Sequence, residues 1–276
     1  MTGQLLSSAG SQLTSVAYPL LALALTHSPA KAGLVGFARL LPSPMFSLVA
    51  GLMADRRDRR RIMLLADGGR ALAVGSLGAV IVTGAGFWPI PLIAFVEGTG
   101  SVFFGTAQAG ALRNVVPSSQ LPDAVGVQQA RSAAVGLAGP PLGGALFGVG
   151  RAIPFFADAA SYAFSFLSLL AVRTPFQEKR AVDTPPLRAQ VAEGFRFLWR
   201  QPFLRTCAFL YGIGNFALPG ILLVIVVAGK RSGLSSGEIG ALFAVFGAFI
   251  LLGSLLSPLL RRKLSMRQIL LVELYT

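Results

Sequence analysis

The chain has 276 residues, 54% of them hydrophobic and 13% charged, with a mean hydropathy of +0.68 and a formal net charge of +13. So few polar side chains cannot cover a water-soluble globule of this size. The basic residues come in short bursts between long apolar runs, not along one face or one helix, which points away from nucleic acid and towards loops at a membrane surface.

Crossing the hydrocarbon takes roughly 20 helical residues. In chain order, runs of that kind occupy about 3 to 26, 32 to 54, 61 to 83, 88 to 113, 123 to 148, 153 to 173, 204 to 229 and 236 to 260, which predicts an all-α, polytopic transmembrane bundle. A ninth run begins near 266, and MRQILLVELYT is too short to cross, so the sequence is expected to be an N-terminal piece of a longer chain. The first run lacks the basic segment that opens a signal peptide. Its Ser7, Ser8, Ser11, Gln12, Thr14 and Ser15 mark it as a true span with a polar stripe.

The second run ends in Asp55–Arg61, DRRDRRR, seven consecutive charges of which five are Arg. Lys and Arg are retained on the cytoplasmic side of a membrane. After even-numbered spans come this run, then Arg113, then Arg173, Lys179, Arg180, Arg188, Arg196 and Arg200, and lastly Arg261, Arg262, Lys263 and Arg267. After odd-numbered spans there are only Lys31, Arg151, Lys230 and Arg231. The N-terminus is therefore expected inside.

The one long polar connection, Arg173 to Gln201, opens with PFQEKRAVDTPP, which has the Pro and charge content of a linker. It continues as RAQVAEGFRFLWR, where Val191, Phe195 and Leu198 follow helical spacing with Trp199 beside them. That predicts an amphipathic helix on the inner leaflet. The chain then divides into a six-helix transmembrane domain at 1–174, a cytoplasmic linker at 175–202 and the start of a second, incomplete transmembrane domain at 203–276. A shift of 202 residues supports the division, because it lays GLMADRRDRR (51–60) over GSLLSPLLRR (253–262). Gly51 then meets Gly253, and Arg59 and Arg60 meet Arg261 and Arg262, at the same end of the second span of each half. Parallel six-helix repeats are a transporter architecture.

Two stretches carry a family resemblance. The pattern G-x-x-x-D-R-x-x-R-R, made by Gly51, Asp55, Arg56, Arg59 and Arg60, resembles motif A of the major facilitator superfamily, and GPPLGG at Gly139–Gly144 resembles the core of its motif C, associated with exporters. FARLLP, GFRFLWRQP and LRNVVP are similar to the branch of bacterial drug, macrolide and siderophore exporters. The resemblance implies a secondary active transporter of the bacterial cytoplasmic membrane. It would work by proton-coupled alternating access and export small amphipathic compounds, without nucleotide or other cofactor. A facilitator or importer of the same superfamily, or a truncated non-transporting membrane protein, is the alternative. In the family the motif A aspartate is implied to hold the inner gate against a helix N-terminus of the other half with a nearby arginine, which makes Asp55 the gate acid and Arg113 its candidate partner. A plain positive-inside anchor is the other reading of the cluster. Asp58 replaces the family's glycine and adds a charge partner, and Ser257 stands where the second copy would have aspartate.

Gly51 would permit close helix approach, and Gly136, Gly139 and Gly143 form a small-residue stripe on one side of the fifth span, with Gly144 beside them. Pro140 and Pro141 remove backbone donors and would bend that helix. Gly126 fits the family's motif C pattern and Val135 departs from it. Ordinary tight packing and a role in antiport are both open for this stripe.

Ionisable residues within spans carry an insertion cost of about 2.5–3.5 kcal/mol each and are functional candidates for that reason. Glu97 is the deepest acid and the first candidate for carrying a proton, the other reading being a neutral acid hydrogen-bonded between helices. Arg39 and Arg131 are the deep cations, either lining a substrate cavity, with Gln128 and Gln129 near the latter, or snorkelling to headgroups. Asp67 and Arg70, at i, i+3, are expected to neutralise each other near the inner surface, and Asp158 is read as a structural acid awaiting a partner. The sequence has no G-x-x-x-x-G-K-[ST] loop for a nucleotide. One histidine, His27, and one cysteine, Cys207, make neither a metal site nor a disulfide by themselves, and no nucleophile–base pair points to an enzyme.

Overall fold

A computed structural model describes residues 2–84, 86–115, 117, 120–171, 187–243, 245, 248–249 and 252. Among them there are helices and no strands: α1 (Thr2–Thr26), α2 (Pro29–Leu40), α3 (Pro42–Arg56), α4 (Arg59–Thr83), α5 (Pro89–Val115), α6 (Leu121–Val149), α7 (Ile153–Ala171), α8 (Leu187–Arg200) and α9 (Pro202–Arg231). A further helical stretch begins at residue 236. Residues 175–186 of the expected linker, the second copy of the repeat at 253–262 and the expected ninth run lie outside the described residues.

The helix ends follow from local chemistry. Ser28 caps α2, its Oγ accepting from the Lys31 amide at 3.4 Å, with Pro29 at the first helical position where no donor is needed. Asp58 caps α4 by accepting from the amides of Arg60 (2.9 Å) and Arg61 (3.4 Å). It also pairs with the Arg61 side chain at 3.8 Å between two exposed groups, so the departure from the family's glycine serves as a helix cap as well as the added charge partner expected. The second expected span is two helices. Pro42 and Pro44 have no N–H, which deprives the carbonyls of Ala38 and Leu40 of helical donors, and the chain breaks between Leu40 and Pro42.

Five stretches are long and apolar enough to cross a membrane by length and composition: Pro29–Arg56, Arg59–Thr83, Pro89–Leu112, Gly126–Val149 and Ile153–Ala171. The 25-residue α1 is outside that set, and its serines, threonines and Gln12 are the physical reason. It is nonetheless central, packing against α7, α6 and α2, while α4 packs against α5 and α7. Tyr18, Leu20, Leu21, Leu77, Ile90, Phe155 and Tyr162 form the core between them, with the Tyr18 and Phe155 rings edge to face at 5.1 Å.

Polarity runs the reverse of a soluble globule. Leu65, Leu72 and Val149 are 77–80% exposed, while the side chains of Asp67, Glu97 and Asp158 are inaccessible. An outer face that apolar is stable where hydrocarbon is the solvent. On α8 the described side chains Phe195 and Trp199 stack at 5.5 Å and are exposed beside Arg196 and Arg200, and the helix meets α9.

Candidate functional site

Glu97 on α5 faces Arg39 near the end of α2, with Nε donating to Oε2 at 3.1 Å and Nη2 to Oε1 at 2.9 Å. This is the two-pronged geometry in which a guanidinium binds a carboxylate best. Gly98 makes it possible, because a Cβ there would collide with the Arg39 carbonyl. Arg39 Nη2 also donates to the Ser11 carbonyl at 3.2 Å, and its guanidinium lies 5.2 Å from the centre of the Tyr18 ring. Arg39 thus points into the bundle and not to headgroups. Tyr162 of α7 donates to Glu97 Oε1 at 3.1 Å and shares a 2.8 Å hydrogen bond with Ser11 Oγ.

Asp67 and Arg70 pair, as their i, i+3 spacing leads one to expect. They lie two to three turns into α4, with side chains 0% and 5% exposed. The Arg70 guanidinium is 4.2 Å from the Tyr162 ring centre and 4.6 Å from that of Phe104, so the pair belongs to the same buried layer as Glu97. Asp158 finds its partner in a hydroxyl: Thr14 Oγ1 donates to Oδ2 at 2.9 Å, and Ser161 Oγ lies 3.3 Å from Oδ1.

The motif A residues are tied into the bundle. Buried Arg59 donates from Nε to the Ala54 carbonyl at 2.9 Å and from Nη1 to the Gly110 carbonyl of α5 at 2.7 Å, and it reaches Asp55 at 3.4 Å. Arg60 donates to the carbonyls of Leu169 (3.0 Å) and Leu170 (2.8 Å) in the last turn of α7, satisfying groups a helix end leaves open. Asp55 is 65% exposed on its side chain, and Arg56 ends α3. Arg113 is on α5, its side chain outside the described residues. Gly51 does not serve the close approach expected of it: a Cβ there would sit 4.0 Å from Thr106 Cγ2, an ordinary contact.

In α6 the motif C glycines face two backbones. A Cβ on Gly139 or Gly143 would strike Gln12 or Leu13 of α1, and one on Gly144 would strike the carbonyl of Ser236, while Gly136 is in ordinary contact with Gln12. The helix runs unbroken through Pro140 and Pro141. Arg131 is half-buried on α6 and makes no hydrogen bond or ion pair with the described residues, and Gln128 is exposed. A cleft of about 330 Å³ between α3, α4 and α5 is lined by Phe46, Phe95, Thr99 and Arg70 among others. Among the described residues no three His, Cys, Asp or Glu side chains come together as a metal site.

The sequence reading singled out Glu97 and Arg39 separately and did not foresee their pairing, nor the hydroxyls of Ser11, Thr14 and Tyr162 that join them to Asp158. The available signal was the number of charges left inside spans, since each needs a partner somewhere.

A family profile described as Major Facilitator Superfamily matches residues 1–276. "Uncharacterized MFS-type transporter YfiS" of Bacillus subtilis is 30% identical over 262 residues, covering 91% of this chain and 61% of that protein. "Multidrug efflux pump Tap" of Mycolicibacterium fortuitum is 29% identical over 214 residues, 74% of this chain and 52% of its own length. "Enterobactin exporter EntS" of Shigella dysenteriae is 28% identical over 257 residues, 89% of this chain and 59% of its own. The chain thus spans between half and two thirds of the length of these relatives. The crystal structure of a bacterial homolog to the human lysosomal transporter Spinster, inward-facing and unoccupied, matches with a TM-score of 0.70 at 19% identity, covering 95% of this chain and 62% of that one, a likeness of fold.

Proposed function

Because the chain belongs to the Major Facilitator Superfamily and is a multi-pass membrane protein, we propose that it serves a proton-coupled exporter of small amphipathic compounds in a bacterial cytoplasmic membrane. The observation that carries the proposal is the bidentate Arg39–Glu97 pair, closed off inside a bundle whose outer face is apolar. An ion pair is expensive to bury and gives less stability than an apolar packing of the same volume, so its place at the centre of the bundle has a functional account. A carboxyl cluster that can exchange a proton supplies one. The outward direction of transport and the class of compound rest on likeness to Tap and EntS.

In this reading residues 1–174 form one half of the transporter, 175–202 the cytoplasmic linker and 203–276 the start of the second half, with the N-terminus inside. Asp55, Arg56, Arg59, Arg60 and Arg113 act at the inner gate, and Gly136, Gly139, Pro140, Gly143 and Gly144 give α6 the smooth surfaces on which halves can rock. Arg131, without a partner among the described residues, and Gln128 are placed to meet a polar or anionic part of the cargo.

The test is accumulation of macrolides, cationic dyes and siderophores in a bacterial strain stripped of its own pumps, with and without the expressed protein and with and without a proton uncoupler. Lower accumulation that returns to the control level when uncoupler is added supports the proposal. Efflux that persists unchanged under uncoupler removes proton coupling, and higher accumulation on expression makes the protein an importer.

A further inference from the structure

The buried layer holds more acid than base. Among the described residues it contains three carboxyls, Asp67, Glu97 and Asp158, and two guanidiniums, Arg39 and Arg70. The guanidiniums are committed: Arg39 to Glu97 and Arg70 to Asp67. Asp158 is inaccessible, has no cation within ion-pair distance among the described residues, and is held by two hydroxyls. A buried carboxylate without a counter-charge loses far more hydration than two hydroxyl contacts return, and such a group takes up a proton instead.

We propose that Asp158 is the proton-binding carboxyl of this cluster, and that the Thr14 hydroxyl couples its state to the Arg39–Glu97 pair. The proposal rests on the proton-coupled reading above and deepens it, moving the proton from Glu97, which Arg39 binds with both prongs, to the acid that has no ion-pair partner among the described residues. Thr14 Oγ1 has a single proton and three neighbours: Asp158 Oδ2 at 2.9 Å, the Ser11 carbonyl at 3.1 Å, and Arg39 Nη2 at 3.5 Å as a donor towards it. With Asp158 ionised, Thr14 donates to the carboxylate and its lone pairs are open to Arg39. With Asp158 protonated, the acid O–H donates to Thr14, the Thr14 proton turns to the Ser11 carbonyl, and a lone pair that Arg39 could use is occupied. Ser11 is linked to Glu97 through Tyr162, so both ends of the ion pair sense the change. Asp158 takes up one proton and gives the same proton back when it ionises again; Thr14 keeps its own proton throughout, and no covalent bond other than the acid O–H forms or breaks.

Among the described residues, Asp158 is faced by Thr14 and Tyr18 from α1, Arg39 from α2, Arg70 from α4, Glu97 from α5, and Ser161 and Tyr162 on α7 itself. On α6, which also packs on α7, Arg131 makes no ion pair with Asp158.

Infrared spectroscopy of the purified protein in lipid bilayers reads this without any need for transport, because a protonated carboxyl has a carbonyl band separate from that of carboxylates. The expected result at neutral pH is one such band that is lost whole in Asp158→Asn and kept in Glu97→Gln. In Thr14→Val the band should shift in frequency without vanishing, which also covers the case in which Asp158→Asn fails to fold. A band that survives Asp158→Asn, one lost in Glu97→Gln, or one indifferent to Thr14→Val overturns the proposal. Efflux with no band from Asp158 would sink this inference and leave the transport reading standing; the band without efflux would do the reverse.

Discussion

Deleting the Arg39–Glu97 pair from both sides should harm the fold no more than removing Arg39 alone. Removing one member of a buried ion pair strands the other, at a cost of about 3–5 kcal/mol. The Arg39 side chain is 21% exposed, so water relieves part of the stranded charge in Glu97→Gln, and about 3 kcal/mol is expected for that variant, at the low end of the range. Arg39→Met strands a carboxylate with no exposure at all and should cost about 4 kcal/mol. In the double variant neither charge remains, so the loss stays at about 4 kcal/mol and the coupling energy is about 3 kcal/mol, large but within the range for contacting residues. Equilibrium unfolding in mixed detergent–SDS micelles, followed by tryptophan fluorescence, measures all three. A double variant whose loss equals the sum of the singles to within about 0.5 kcal/mol would show that the two groups do not interact and refute the reasoning.

Three further outcomes follow from the contacts. Gly143→Val forces a side chain into the Leu13 backbone of α1 and should cost about 1–3 kcal/mol by overpacking, whereas Gly148→Ala, which meets nothing within 4 Å, should be neutral; equal stability of the two variants in the same unfolding assay would contradict the packing. Arg60→Ala opens the carbonyls of Leu169 and Leu170, with an expected loss of about 1 kcal/mol and faster hydrogen exchange confined to the last turn of α7. For orientation, on a Cys207→Ala background, an impermeant thiol reagent added to intact cells should label Ser232→Cys and spare Arg61→Cys; the opposite pattern would invert the proposed topology.

Five of the expected spans were legible in the sequence because crossing a membrane demands length and apolarity together, and both are local properties. The break of the second span was written in Pro42 and Pro44, but a run that remains apolar through its prolines reads as one segment. α1, expected as a span, falls outside the set apolar enough to cross, and the polar stripe that sets it apart is what supplies Ser11 and Thr14 to the buried layer. The cluster itself was not legible. Arg39 and Glu97 are 58 positions apart, and periodicity within each helix says nothing of how the two are rotated against each other. The backbone approach that joins them depends on Gly98, which no pattern within its own helix singles out. Asp58 illustrates a different limit: an aspartate just ahead of a helix is a capping signal, yet inside a run of arginines only its charge pairing stands out, and it performs both roles. Arg60 reaches the end of α7, more than 100 residues away, and no local pattern announces such a contact.

Proton movement driven by substrate tests the account most directly. The purified protein would be reconstituted in liposomes loaded with a pH-sensitive dye, with a candidate compound added under an imposed pH gradient. The predicted result is a substrate-dependent proton flux, abolished in Asp158→Asn and strongly reduced in Glu97→Gln. Transport of the compound with no accompanying change of internal pH, and at the same rate in both variants, would contradict it.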